Sequence, residues 1–368
     1  MARESHRQLT VALLAMCTAL LSAADAPEGR RLREIVVDRY PQGKVYIGGT
    51  TGWQKRAKGS GVTLDREFSY VTPENDFKHS TINPKPGVWK WELADNWVTH
   101  CAKSKQVLRI HGPISPQCSR WAKEDDRSAE ELEKSLVDFM SKLCQRYDKF
   151  LHVKWLDVVN ETVNRGKWHG PRPGTARWEN PWTKIGFDQS HPLKPPKYIK
   201  LAFQVANKFA PNTKLIINQH GFDAKSWEMI KGLVSYLRDA GLRVDGIGWQ
   251  AHVDVGFEKN PENIRRLGEL IRWAHKNKLS FHVTENNVWL HGKKKDYQAQ
   301  ARTFAAILRV LLENRQSGVV TWNVWNLSDG DSWSEKKAFD GCLFDRDYSP
   351  KPAYYALQQL LEKPPKAK

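Results

Sequence analysis

"KWLDVVNETV", residues 154–163, runs through large apolar side chains and then stops at Asn160 and Glu161, an amide beside a carboxylate. It reads as a buried strand that delivers an acid to its carboxyl end. Three similar runs precede it: "KVYIGGT" (44–50), "EFSYVT" (67–72) and "QVLRIH" (106–111). Four follow: "KLIIN" (214–218), "DGIGWQ" (245–250), "SFHVT" (280–284) and "GVVTWNVW" (318–325). All are short and rich in β-branched or aromatic residues, and most are entered through Gly, Lys or Asn.

Helical patterns fill the gaps. In 127–147, Ser128 and Glu131 form a capping box, and Leu132, Leu136, Phe139 and Leu143 recur at helical spacing. Segments 262–277 and 297–314 repeat the pattern, with Ile264, Leu267, Ile271 and Ala274 on one face and Tyr297, Ala301, Phe304, Leu308 and Leu311 on the other. Further helices are expected near 92–104, 195–209, 223–240 and 352–362. Eight strands with helices between them define the fold class as α/β, a single-domain (β/α)8 TIM barrel over residues 25–362. A doubly wound sheet is disfavoured, since no glycine-rich dinucleotide fingerprint follows the first strand. The Pro-, Gly- and Trp-rich segment 164–196 reads as a long loop, and the tail 363–368 as frayed.

Arg3 and Arg7, the apolar run 9–21 and the small residues Ser22, Ala23 and Ala24 have the layout of a secretory signal over residues 1–24. About 13 apolar residues is short for a membrane span, so a secreted or periplasmic protein with no stable membrane insertion is expected. The net charge of +17 fits acidic polymers as partners, or cations scattered over solvated faces. No motif or basic helix supports nucleic-acid binding. Apart from Cys17, the cysteines are Cys101, Cys118, Cys144 and Cys342, spaced as neither a disulfide framework nor a zinc site. A monomer is expected.

Active sites of such barrels sit where the strands end at their carboxyl side. Those ends deliver Glu74 and Asn75, His111, Asn160 and Glu161, Asn218, Gln250 and His252, Glu285, and Trp325. An Asn-Glu pair after one strand is often only a helix start; convergence from nearly every strand is not explained that way. Glu161 and Glu285, at the ends of strands 4 and 7, face one another over the mouth. Two such carboxylates suit glycosidic bond cleavage, one giving a proton to the leaving oxygen and one staying ionised. Among 16 Trp, Trp325 and Trp333 flank the last strand's rim as sugar-stacking faces, whereas Trp155 and Trp273 read as core. By alternation from Glu285, His282 is expected to face the helices. No His pair on the first strand offers a metal site.

Residues 44–361 resemble glycoside hydrolase family 10, the retaining endo-β-1,4-xylanases. "VTPENDFK" (71–78), "WLDVVNE" (155–161), "GIGWQAH" (246–252), "VTEN" (283–286), "VWNLSDGDSW" (324–333) and "YSPKPAYYAL" (348–357) carry the resemblance, in order. It implies Glu161 as acid/base and Glu285 as nucleophile, with Asn160 holding the sugar 2-hydroxyl. It also implies a cleft lined by Glu74, Asn75, Lys78, His111, Gln117, Gln250, His252, Trp325 and Trp333, a xylan-like polysaccharide as substrate, and no metal or cofactor.

Departures from the family pattern are equally specific. The stretch 109–117 is one residue short and offers Ser115 and Pro116 where a Trp-His pair is usual. Gln219 and His220 replace an Asp-Tyr step, and Asn287 replaces an Asp that bonds the strand-6 His. His79 replaces a Trp and is expected to open the region beside Lys78. These changes point to an altered substrate, such as a decorated or glucuronic-acid-bearing xylan. The competing readings are a retaining β-glycosidase acting on another β-glycan and a non-catalytic carbohydrate-binding barrel.

Overall fold

The computed structural model describes residues 26–124, 126–171, 178–337 and 339–368. The expected leader and Cys17 lie outside the described residues. Eight strands are numbered here in chain order: β1 (Val45–Thr51), β2 (Tyr70–Pro73), β3 (Val107–Ile110), β4 (Val153–Asn160), β5 (Lys214–Gln219), β6 (Gly246–Trp249), β7 (Ser280–Trp289) and β8 (Val320–Val324). Each pairs in parallel with the next, and β8 pairs with both β7 and β1, so the sheet closes on itself. Closure leaves no unpaired edge among these strands. Helices pack outside, among them Glu92–Lys103, Ala129–Tyr147, Lys197–Phe209, Ala224–Asp239, Pro261–Lys276, Tyr297–Glu313 and Pro352–Glu362. The capping box of Ala129–Tyr147 forms as the sequence predicts, with Glu131 N–H to Ser128 Oγ at 3.1 Å and Ser128 N–H to Glu131 Oε2 at 2.9 Å.

Two cores result. The larger fills the space between sheet and helices; the smaller, inside the barrel, consists of Tyr70, Trp155 and Ile216 flanked by Tyr46, Val107 and Val319. Trp155 plugs this floor with its edge to Tyr46 and Tyr70, at centroid distances of 4.9 and 5.1 Å. Burying so large a ring contributes about 3 kcal/mol. Above the floor the lumen turns polar, with Thr50, Thr72, Arg109, Asn218, Thr284 and Asn323 linked by hydrogen bonds and Asp157 3.8 Å from Arg109 Nε. Gly248 makes room for this layer: a Cβ there would stand 2.6 Å from Asn218 Oδ1.

Three expectations are corrected. Glu67 and Phe68 do not begin β2. Glu67 ends the helix Ser60–Glu67 and is fully buried, where it accepts from Tyr354 Oη (2.6 Å) and pairs with Arg66 (2.7 Å). His282 points into the lumen, against Trp155 and Thr321, because the pairing of β7 with β8 shifts register between Val283 and Asn286 and breaks the alternation. His79 does not open the cleft: it is buried among Trp121, Phe139 and Trp182, with Nδ1 accepting from Ser119 N–H (3.2 Å). Trp155 is core as expected, inside the barrel, and Trp273 is half-buried against the larger core outside it.

Among the described residues, no helix is long and apolar enough to cross a membrane. Cys101, Cys118, Cys144 and Cys342 are free and buried. Near the chain end, Arg315 donates to Pro365 O (3.0 Å), and Lys368 pairs with Glu313 (2.6 Å).

Candidate active site

The carboxyl ends of the strands surround a cleft of about 910 Å³. Its lining includes Glu74, Asn75, Lys78, His111, Gln117, Glu161, Gln250, His252, Glu285, Trp325 and Trp333. Every site residue read from the sequence is therefore on the cleft wall except Asn160 and Asn218, which are buried beneath it. Three strand ends reach the rim by an unusual route. Glu161, Ala251 and Asn326, which follow β4, β6 and β8, have φ of 58°, 58° and 62°. For a side chain with a Cβ, that conformation costs about 1–2 kcal/mol. The cost is accepted where the chain must turn sharply enough to present Asn160, Gln250 and Trp325 to one cavity.

Glu285 is almost wholly enclosed, and its two oxygens are differently met. Oε1 accepts from Asn218 Nδ2 (2.8 Å) and lies 3.7 Å from His111 Nδ1; Oε2 lies 3.4 Å from His252 Nε2. Burial pushes the carboxyl up, but His111, His252 and Arg109 outweigh it and hold the group at about 2. Glu285 thus stays ionised. His111 is oriented from behind by Asp157 (2.9 Å), and Asp157 lies 3.8 Å from Arg109 Nε.

Glu161 has a donor at each oxygen. Gln250 Nε2 reaches Oε1 (3.0 Å), and the indole N–H of Trp178 reaches Oε2 (2.5 Å). Asn160 joins the two carboxylates: its Oδ1 accepts from Asn218 Nδ2 (2.9 Å) and Gln250 Nε2 (3.3 Å), the same amides that bond Glu285 and Glu161. Neutral amides thus space two acids without passing a proton between them.

Lys78 is enclosed at the cleft wall, donating to Asn75 Oδ1 (2.9 Å) and to Gln117 Oε1. Burial lowers its pKa, opposed by Glu285, Glu161 and Glu74. Glu74 pairs with Lys55 at 2.6 Å. Trp325 stands edge-on to His111 (4.8 Å), and the half-exposed Trp333 edge-on to His252 (5.9 Å).

The departures also find their places. Ser115 and Pro116 are buried, while Gln117 and Cys118 line the cleft beyond them. Gln219 is buried and ties itself to Val163 through both ends of its amide, at 3.2 and 2.6 Å. His220 lines the cleft, its charged form disfavoured by burial. Asn287 Oδ1 meets His252 Nδ1 at 2.9 Å.

Sequence reasoning missed several contributors. Arg109 and Asp157 are charges inside apolar strand runs, a signal that was legible, since such residues are seldom fully buried without a partner. Asn218 was visible as a strand end but not as a bridge between the acids. Trp178 carries no sequence signal, because only the folding of the loop after β4 brings it to Glu161. Ser80, Lys123, Gly221 and Lys337 complete the lining.

Among the described residues, no cluster of His, Cys, Asp and Glu could hold a metal ion.

Comparisons with known proteins show the family and the fold. The sequence model described as Glycosyl hydrolase family 10 matches residues 39–360. The chain is 32% identical over 332 residues to endo-1,4-beta-xylanase B of Neocallimastix patriciarum, covering 87% of this chain and 35% of that protein. It therefore spans about a third of the length of that relative. It is 29% identical over 311 residues to endo-1,4-beta-xylanase B of Thermotoga neapolitana, covering 81% of this chain and 82% of that one. Among solved structures, native xylanase 10B from Thermotoga maritima superposes with a TM-score of 0.74 at 27% identity, over 90% of this chain and 98% of that one. Xylanase 10B from Thermotoga petrophila RKU-1 in complex with xylobiose gives 0.74 at 26% identity, over 92% and 99%.

Proposed function

The chain belongs to glycosyl hydrolase family 10, and on that footing we propose that it hydrolyses β-1,4-xylosidic bonds in xylan with retention of configuration. The observation that carries this reading is the pair of carboxylates in one cleft, Glu285 held ionised and Glu161 joined to it through the amides of Asn218, Asn160 and Gln250. Glu285 attacks the anomeric carbon, and Glu161 protonates the leaving oxygen. The bond to the leaving sugar breaks, and a glycosyl ester on Glu285 forms. Water then attacks the same carbon, the ester bond breaks with its electron pair returning to Glu285, and Glu161 takes the water's proton.

The other roles follow from hydrogen-bond capacity. Asn160 spends its oxygen on Asn218 and Gln250, and its Nδ2 has no protein acceptor among the described residues. That leaves a donor for the 2-hydroxyl of the sugar under attack, where bonds strengthen in the transition state. Glu74, Asn75, Lys78, His111, Gln117, Gln250 and His252 supply further polar contacts, and Trp325 and Trp333 supply ring faces. A glucuronic-acid-bearing xylan is the favoured polymer: the exposed Lys337 lines the cleft of a chain whose net charge is +17. The leader read from residues 1–24 would export the enzyme to such a polymer.

A digest of glucuronoxylan followed by proton NMR of the nascent ends tests this reading. A β-anomer that appears first and later mutarotates is expected. An α-anomer appearing first would overturn retention. Digestion of another β-glycan but not of xylan would overturn the substrate, and silence on every β-glycan would favour the binding-protein reading.

A further inference from the structure

Trp178 sits where the cleft meets a second cavity of about 610 Å³, lined by Asn164, Arg165, Phe222, Asp223 and Ser226. Trp178, His220 and Gly221 line both cavities, so they mark the boundary between the reacting bond and the space beyond it. Trp178 is also held from behind. The ring of His169 packs on it at 4.3 Å, with Nδ1 3.2 Å from Glu161 O and Nε2 3.3 Å from Trp178 O, so a neutral imidazole donates to one of these carbonyls at a time. His220 stands edge-on to the same indole at 5.3 Å. The indole thus bonds the Glu161 carboxyl while its ring is packed by His169, which sits between the main chains of both residues.

We propose that Trp178 is a positioning residue for the second half of the reaction, holding Glu161 as a carboxylate aimed at the incoming water. This rests on Glu161 being the acid/base. An ionised carboxylate only accepts hydrogen bonds, whereas a protonated one must donate from one oxygen. With Gln250 at Oε1 and Trp178 at Oε2, both oxygens are met by donors, an arrangement that suits the base of the second step. An indole N–H donates and cannot accept, so it orients the carboxylate without competing for the water's proton. In that step the water oxygen bonds to the anomeric carbon, the ester to Glu285 breaks, and the proton passes to Glu161. On the first step the same N–H must yield as the leaving oxygen approaches, so the two steps make opposite demands on Trp178.

The opposition gives a kinetic signature. On an aryl xylobioside with a strongly activated leaving group, the first step needs no protonation and the second limits kcat. Trp178→Phe keeps the ring but removes the N–H. It is expected to lower kcat and KM together by about ten-fold, leaving kcat/KM unchanged. Azide, which attacks without giving up a proton, should restore kcat as a glycosyl azide forms. A purely structural role would lower kcat/KM and would not respond to azide; either result overturns the proposal. If Trp178→Phe does not fold, His169→Ala, which releases the indole from behind, carries the same expected and contrary outcomes. Glu161→Ala is measured alongside. Absence of azide rescue there would overturn the assignment of Glu161 itself, whereas rescue there with an unaltered Trp178→Phe enzyme sinks only the role of Trp178.

Discussion

Asn287 turns its amide oxygen to His252 Nδ1 at 2.9 Å, while its Nδ2 donates to Trp325 O (2.8 Å) and Gly341 O (3.2 Å). Those two carbonyls fix which way the amide points and make His252 Nδ1 the donor. An aspartate at 287 could accept from His252 but would press a second acceptor against two carbonyls. Asn287→Asp is therefore expected to destabilise the fold by about 1–3 kcal/mol. Urea denaturation at pH 7 measures it, and an equal or higher midpoint would count against this account.

The two acids are separable by leaving group. Glu285→Ala removes the nucleophile, and turnover should vanish on every glycoside. Glu161→Ala should lose activity on xylan, yet keep the first step on an activated aryl xylobioside, which departs without help. Burst kinetics on that substrate decide the matter; equal losses in the two variants would reverse or void the roles.

Glu285 is held at about 2 by His111, His252 and Arg109 against the pull of burial. Trapping by an activated 2-fluoro xylobioside requires only that this carboxylate be ionised. Its rate is expected to stay flat from pH 7 to about 4, well above that value. An acid limb with a midpoint near 4.5 would show an ordinary carboxyl instead. The same depression stabilises the fold above pH 4.5, a contribution that fades as the pH falls through about 2.

His79 gives a second, separate pH window. Burial pushes its imidazole down to about 3 from 6.5, so between those values the unfolded chain binds a proton that the folded chain refuses. Stability from this source is complete above pH 6.5 and is lost as the pH falls toward 3. At pH 4.5 the loss amounts to about 2–3 kcal/mol. His79→Phe should remove that loss: the wild-type protein weakens between pH 7 and 4.5 by more than the variant does. Parallel pH dependence in the two proteins would contradict the buried neutral imidazole.

Strand existence and order were legible in the sequence because parallel strands covered by helices are short apolar runs bounded by turn residues, and all eight appear where such runs end. The site was legible for a related reason. A polar residue such as Glu161 just past the end of an apolar strand has no packing purpose, and barrel closure brings such residues together. What failed depended on local geometry. The register shift after Val283 turned His282 inward against simple alternation. The imidazole of His79 proved small enough to sink among three aromatic rings, where a gap in the cleft had been expected. Trp178 comes from a loop, and its contact with Glu161 follows no sequence period at all.

The seam of the barrel has a consequence for how the chain matures. Val45 pairs with Val320, 275 positions later, so the last parallel ladder joins strands from opposite ends of the chain. Contacts this distant form late and slow folding, and until they form, β1 and β7 each expose an unpaired edge. A ribosome or protease that stops short of Val320 therefore releases a sheet with two adhesive borders. Fragments of this protein are bound for aggregation rather than reduced activity, and competence arrives all at once with the final strand.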